Sequence, residues 1–162
     1  MNTMDLLYNF PLLAALFSIL FAQFIKVPIQ YIGSKKLDWS LLTSTGGMPS
    51  SHSAAVTALS TGVAIESGLG SSIFAVSAVF AIITMFDASG IRRHAGEQAT
   101  VLNQLVADFN RFVEEAKVWP KTEKQEKQKK LKELLGHQPI EVLFGGLTGI
   151  LLTILLYYLF VM

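Results

Sequence analysis

The run VLFGGLTGILLTILLYYLFVM, residues 142–162, contains no charged side chain. An α-helix rises about 1.5 Å per residue, so this run matches the ~30 Å hydrocarbon core of a bilayer. Lipid offers the backbone no hydrogen-bond partners, so a helix is the form such a segment takes there. Three further stretches are almost as free of charge: Leu6–Ile25, Ser53–Gly68 and Ser71–Phe86. The first has the length of a full span. The other two hold about 16 residues each and meet at Glu66-Ser67-Gly68-Leu69-Gly70. Alone, each would also suit a buried core helix. As a hairpin between two clear spans, carrying Ala54, Ala55, Ala58, Ala75, Ala78 and Ala81 for close packing, they read as spans.

Composition agrees. The 162 residues are 51% hydrophobic and 15% charged, against about a quarter charged in soluble domains. The expected architecture is all-α: a single integral membrane bundle over residues 1–162. Its four spans lie near 6–25, 53–68, 71–86 and 142–162, with polar segments 26–52 and 87–141 between them. The first stretch reads as a retained span rather than a cleaved signal, because Met1–Asp5 has no Lys or Arg and no small-x-small site follows. The absence of cysteine excludes disulfides and thiolate metal sites and leaves the redox compartment open. A net charge of +1 argues neither for nor against nucleic acid, and none is expected as a partner.

The 13 Lys and Arg residues all lie in the two polar segments. Lys26, Lys35 and Lys36 follow the first span, and the rest run from Arg92 to Lys132. Four spans put both segments on one side, and the positive-inside rule makes that side cytoplasmic, with both termini outside. In the longer segment, Ala99, Leu102, Leu105, Val106, Phe109, Phe112, Val113 and Ala116 recur at spacings of three and four. They predict an amphipathic helix, lying on the membrane surface or against the bundle, and ended by Trp119-Pro120. A second helix is expected after a capping box at Thr122–Gln125, with Glu123/Lys127 and Glu126/Lys130 pairs, an apolar side of Leu131, Leu134 and Leu135, and a stop at Gly136.

The chemistry concentrates where spans meet these segments. Gly46-Gly47-Met48-Pro49-Ser50-Ser51-His52-Ser53 precedes the second span. Two glycines allow a tight turn, Pro49 suits a first helical turn, and Ser50 and Ser51 offer hydroxyls and N–H groups at a helix start that favours oxyanions. His52 adds a titratable proton. The same string also reads as a helix cap with an interfacial histidine. Asp87-Ala-Ser-Gly-Ile-Arg-Arg-His94 follows the third span. Arg92 and Arg93 suit phosphate oxygens, or simply anchor the span with Asp87 as partner. Before the fourth span, His137 and Glu141 are four apart, so the carboxylate can orient the imidazole. Pro139 belongs in the first turn of that helix and leaves His137 just outside it. Lys26, with Gln23 and Gln30 at helical spacing, either snorkels or reaches the same polar mouth. Together these residues form a kit for phosphoryl transfer through a phosphohistidine, one histidine attacking and the other protonating the leaving oxygen.

Met48–Ser53 resembles the Pro-Ser-Gly-His motif of the type 2 phosphatidic acid phosphatase superfamily, which includes the vanadium haloperoxidases. Nearly the whole chain looks like the divergent branch of that superfamily found in bacteria and plants, through Gly46–Ser53, Asp87–Arg93 and Leu131–Glu141. The resemblance implies Lys26, Ser50 and Ser51 as phosphate binders and His52 as general acid. It implies His137 as nucleophile and Glu141 as its orienter, with His94 ranked lower because Gln98 is its i+4 residue. The departures are specific. Gly33 and no Arg-Pro stand seven after Lys26, Leu131 stands where an arginine precedes the histidine by six, and four spans replace six. Arg92 or Arg93 would have to serve instead.

These residues predict a metal-independent lipid phosphatase with no cofactor, acting on a phosphomonoester or diphosphate of a membrane lipid. The alternatives are a non-catalytic membrane protein that keeps an anion pocket, a small oligomeric transporter subunit, and a metal hydrolase using His52, His94, His137 and Asp87. The small-residue hairpin could pack within one chain or between chains, which leaves a homo-oligomer open.

Overall fold

The computed structural model describes residues 8–35, 37–44, 46–115 and 136–162. The predicted charged helix and its capping box at residues 122–135, like the Trp119-Pro120 stop, lie outside them. Five α-helices make up the described fold: α1 (Phe10–Ser34), α2 (Ser51–Ser67), α3 (Ser72–Ser89), α4 (Ile91–Glu115) and α5 (Pro139–Phe160), with a short 3-10 helix at Trp39–Thr43. Among the described residues there is no strand. The chain is an all-α membrane helical bundle.

Local chemistry sets the helix ends. The Asn9 side chain accepts a hydrogen bond from Leu12 N–H, and Pro11 sits in the first turn of α1. Ser71 caps α3 through Phe74 N–H. Gln138 precedes Pro139, the first residue of α5, and its N–H donates to the Glu141 carboxylate at 3.1 Å.

α2 is the central element, packed on α1, α3 and α5. It runs parallel to α5, since Gly145 meets Ser50, Gly149 meets Ala54 and Thr153 bonds Ala58 O. It runs antiparallel to α1, whose Pro11 touches Gly62, and to α3, whose Ser77 meets Ser60. The seam is built from small residues: Ala14, Ala15, Ser18 and Ala22 on α1, and Ala54 and Ala58 on α2, are buried. Without a hydrophobic drive between helices in lipid, close backbone approach and hydroxyl bonds supply the association. Thr57 Oγ1 donates across the seam to Gly146 O at 2.9 Å.

α1, α3 and α5 are long and apolar enough to cross a membrane, and α3 runs on into α4. α2 has 17 residues, slightly under the ~20 of a full span. Its neighbours wrap it, so it needs less apolar surface of its own. The outer faces of the others remain bare: Val76, Phe80, Ile83 and Phe86 on α3 and Leu143, Leu151 and Leu155 on α5 are all exposed. Such surface suits lipid and would aggregate in water.

Two expectations need correction. The first helix does not stop near residue 25 but continues through Lys26 and Pro28 to Ser34. Lys26 is 1% exposed inside that helix and does not snorkel. Pro49 does not lie in the first turn of α2, because Ser50 is the N-cap and the helix starts at Ser51.

Candidate functional site

The antiparallel arrangement brings the end of α3, the start of α2 and the start of α5 to one end of the bundle, beside Lys26. Main-chain bonds fix them. Ser50 N–H donates to Glu141 O at 3.0 Å, joining α2 to the first turn of α5. His137 N–H donates to Ala88 O at 2.9 Å, joining the approach to α5 to the end of α3. Gly136, with φ +86°, lies directly on the backbone of Arg92 and Arg93, where a Cβ would sit 2.6 Å from Arg92 C. Both the left-handed backbone and the close approach require glycine there.

His137 is 2% exposed, and its Nδ1 lies 3.0 Å from Glu141 Oε2. An ionised carboxylate only accepts, so Nδ1 carries the proton and Nε2 the lone pair. That Nε2 is buried and has no hydrogen-bond partner among the described residues. Leaving such a group unpaired costs about 1–3 kcal/mol, a cost that a folded chain tolerates where the atom is used. The His52 ring stands edge-on to His137, with centroids 6.1 Å apart at 62°. The charges of Arg92, Lys26 and Asp87 all act on His52. Glu141 interacts with both His137 and Lys26.

The remaining candidates divide. Ser50 is fully buried, and its hydroxyl accepts from Ser53 N–H and Ser53 Oγ–H, so it caps α2. Ser51 opens the helix beside it, where the first N–H groups have no intrahelical acceptor. Arg92 Nε donates to Asp87 Oδ2 at 2.7 Å and Arg93 Nε to Glu97 Oε1 at 3.0 Å. Glu97 also holds His94 Nδ1 at 3.2 Å, and the His94 side chain is 74% exposed. Among the described residues no three His, Asp or Glu side chains converge as a metal set would. The metal-hydrolase grouping of His52, His94, His137 and Asp87 is therefore not assembled. A cavity of about 300 Å³ opens at this end, and Gly46, Gly47, Arg93, Glu97, His137 and Glu141 are among its walls.

Two contributors escape the motifs. Glu97 holds Arg93 and His94, and its only sequence signal is its spacing of four and three from them. Gln23 donates through Nε2 to Leu42 O at 2.9 Å and Ser44 O at 3.1 Å. Lys26 Nζ reaches the same Ser44 O at 3.4 Å, and its stem passes Gly47. One helical turn thus ties down the segment that leads into the Gly46-Gly47 wall. Replacing Gln23 by leucine should lower stability by about 1–3 kcal/mol, since the part-buried Leu42 carbonyl loses its donor and that of Ser44 keeps only the longer bond from Lys26. Thermal unfolding in detergent measures this, and an unchanged midpoint would show that the tie is idle.

The family model described as the divergent PAP2 family matches residues 7–152. The chain is 78% identical over 157 residues to a Bacillus subtilis (strain 168) protein described as the uncharacterized membrane protein YuiD, covering 97% of this chain and 99% of that one. No solved structure matches it. The matched region contains the whole of the polar end just described, from Lys26 to Glu141, and the chain belongs to the divergent PAP2 family.

Proposed function

We propose that this protein is a lipid phosphatase that works through a phosphohistidine on His137 at the cytoplasmic face of the membrane. The observation that carries the reading is the His137 pair: Nδ1 held by Glu141 at 3.0 Å and a buried Nε2 without a partner among the described residues. Nε2 would attack phosphorus while the bond to the ester oxygen breaks and that oxygen takes a proton from His52. Water would then attack phosphorus, giving a proton to His52 as the P–N bond breaks and its electron pair returns to Nε2, which releases phosphate and free His137. Lys26, the N–H groups at Ser51 and the two arginines would balance the charge on the equatorial oxygens. Arg92 and Arg93 are 51% and 48% exposed. Exposed ion pairs are worth about 0–1 kcal/mol, so trading Asp87 and Glu97 for a phosphate dianion is cheap.

Four crossings, with α2 as the lipid-shielded one, put residues 26–52 and 87–141 on one side. The confinement of all 13 basic residues to these segments supports that side as cytoplasmic. No metal is required, because cations of the chain neutralise the phosphate.

Phosphate release by purified protein in liposomes, offered phosphatidic acid, phosphatidylglycerophosphate and isoprenyl diphosphate, tests the reading. Glu141→Gln should cut release by about 10²- to 10⁴-fold, because an amide donor facing Nδ1 favours the wrong tautomer. Release unaffected by Glu141→Gln would remove Glu141 from the mechanism. A second reading, an anion pocket without turnover, is favoured by the commitment of both arginines to carboxylates and of the Ser50 hydroxyl to Ser53. It predicts vanadate binding without phosphate release across the panel.

A further inference from the structure

α4 stands apart from the bundle. Of the described helices it packs only against α3. Val101, Leu102, Leu105, Val106, Phe109 and Phe112 are between 39% and 67% exposed. At 100° per residue these six share one side of the helix, while Arg93, Gly96 and Thr100 lie on the other. That other side walls the cavity that His137 also lines. The helix is expected on the membrane surface or against the bundle; its polar side faces the site and its apolar side is bare.

Three observations identify what covers it. First, α3 passes into α4 through Gly90 alone, with Gly90 N–H bonded to Phe86 O and His94 N–H to Gly90 O. The bare outer face of α3 therefore leads into α4 with no intervening loop. Second, α4 has 25 residues but carries Arg93, Glu97, Asp108 and Arg111. A long helix with a strong apolar side and low overall hydrophobicity lies in the interface rather than across it. Third, Arg92 and Arg93 stand at its start, and residues 116–135 contain seven Lys against three Glu. That excess complements anionic headgroups.

We propose that α4 is an interfacial helix whose apolar side inserts into the leaflet on the site's side of the membrane, so that the bilayer holds its polar side against the cavity. This stands whether or not the site turns over phosphate. The chain has no cysteine, so single cysteines can be placed at Leu105 and Phe109 and, on the opposite side, at Gln104 and Ala107. All four positions are exposed, so labelling them removes no packing. Each is labelled with an environment-sensitive fluorophore in liposomes containing phosphatidylglycerol and spin-labelled phosphatidylcholine. At 105 and 109, emission should shift to the blue and shallow spin-labelled lipid should quench at least ~2-fold more than at 104 and 107. Aqueous iodide should quench in the reverse order. Equal iodide quenching at all four positions would overturn the proposal by placing α4 in water. Labels at 105 and 109 shielded from both quenchers would overturn it by showing a protein cover, from a second copy or from residues 116–135. Strongest quenching by deep spin labels at all four would overturn it in favour of a crossing helix.

Discussion

Replacing His137 by alanine should abolish phosphate release, a loss on the order of 10³-fold or more, while the protein stays folded. The two parts of that expectation come from different atoms. Nε2 is lost with the ring, and His52 cannot substitute, because among the described residues no carboxylate is hydrogen-bonded to it as Glu141 is to His137. The structural tie is main-chain: His137 N–H to Ala88 O at 2.9 Å survives in alanine. Glu141 keeps its hydrogen bond from Gln138 N–H and its attraction to Lys26. His94→Ala is the matched control. That side chain is 74% exposed and engages only Glu97 among the described residues, so release should be unchanged. Loss of release in both variants would point to a general effect on the surface rather than to a nucleophile.

The second large effect concerns the seam that positions the two histidines. A Cβ at Gly149 would run into the main-chain oxygen of Ala54 and into Thr57 Oγ1, whereas a Cβ at Gly146 would meet Met85 Cε at 3.2 Å. The first obstacle is backbone and the second is the end of a flexible side chain. Gly149→Ala should therefore force α2 and α5 apart and cost about 3 kcal/mol, the upper part of the overpacking range. Gly146→Ala should be nearly neutral. Thermal unfolding in detergent reads the difference, and equal midpoints for the two variants would contradict the seam described here.

Much of this fold was legible because lipid imposes a simple rule. Uncharged runs become helices, and their order then fixes which polar segments share an end. The runs near 71–86 and 142–162 match α3 and α5 closely, and the three- and four-residue spacing from Ala99 onward is α4. The pairing of His137 with Glu141 was legible too, although Pro139 begins the helix and leaves His137 outside it. What stayed hidden depends on contacts between segments. Lys26 reads as the end of a span because charge normally ends one. Here Glu141 and the Ser44 carbonyl give the ammonium a buried setting, and α1 runs on. Ser50 reads as a phosphate ligand because a hydroxyl at a helix start has two uses, and only the fold shows that Ser53 takes it. Gly136 reads as a helix stop, yet its close approach to Arg92 and Arg93 is what seats His137 beside α3. Arg93 and Glu97 form an i,i+4 pair that was present in the sequence and passed over in favour of the arginine alone.

Trapping the covalent intermediate tests the phosphohistidine on His137 most directly. Protein in liposomes is mixed with phosphatidic acid carrying ³²P in its phosphate, stopped within the first turnover in alkali, and digested for mapping. A phosphorus–nitrogen bond to histidine survives alkali and is lost in acid. A phosphohistidine there predicts acid-labile, alkali-stable label on the peptide that contains His137. It also predicts none in His137→Ala. Phosphate release with no label on His137 at any time, or label that persists in His137→Ala, would contradict it.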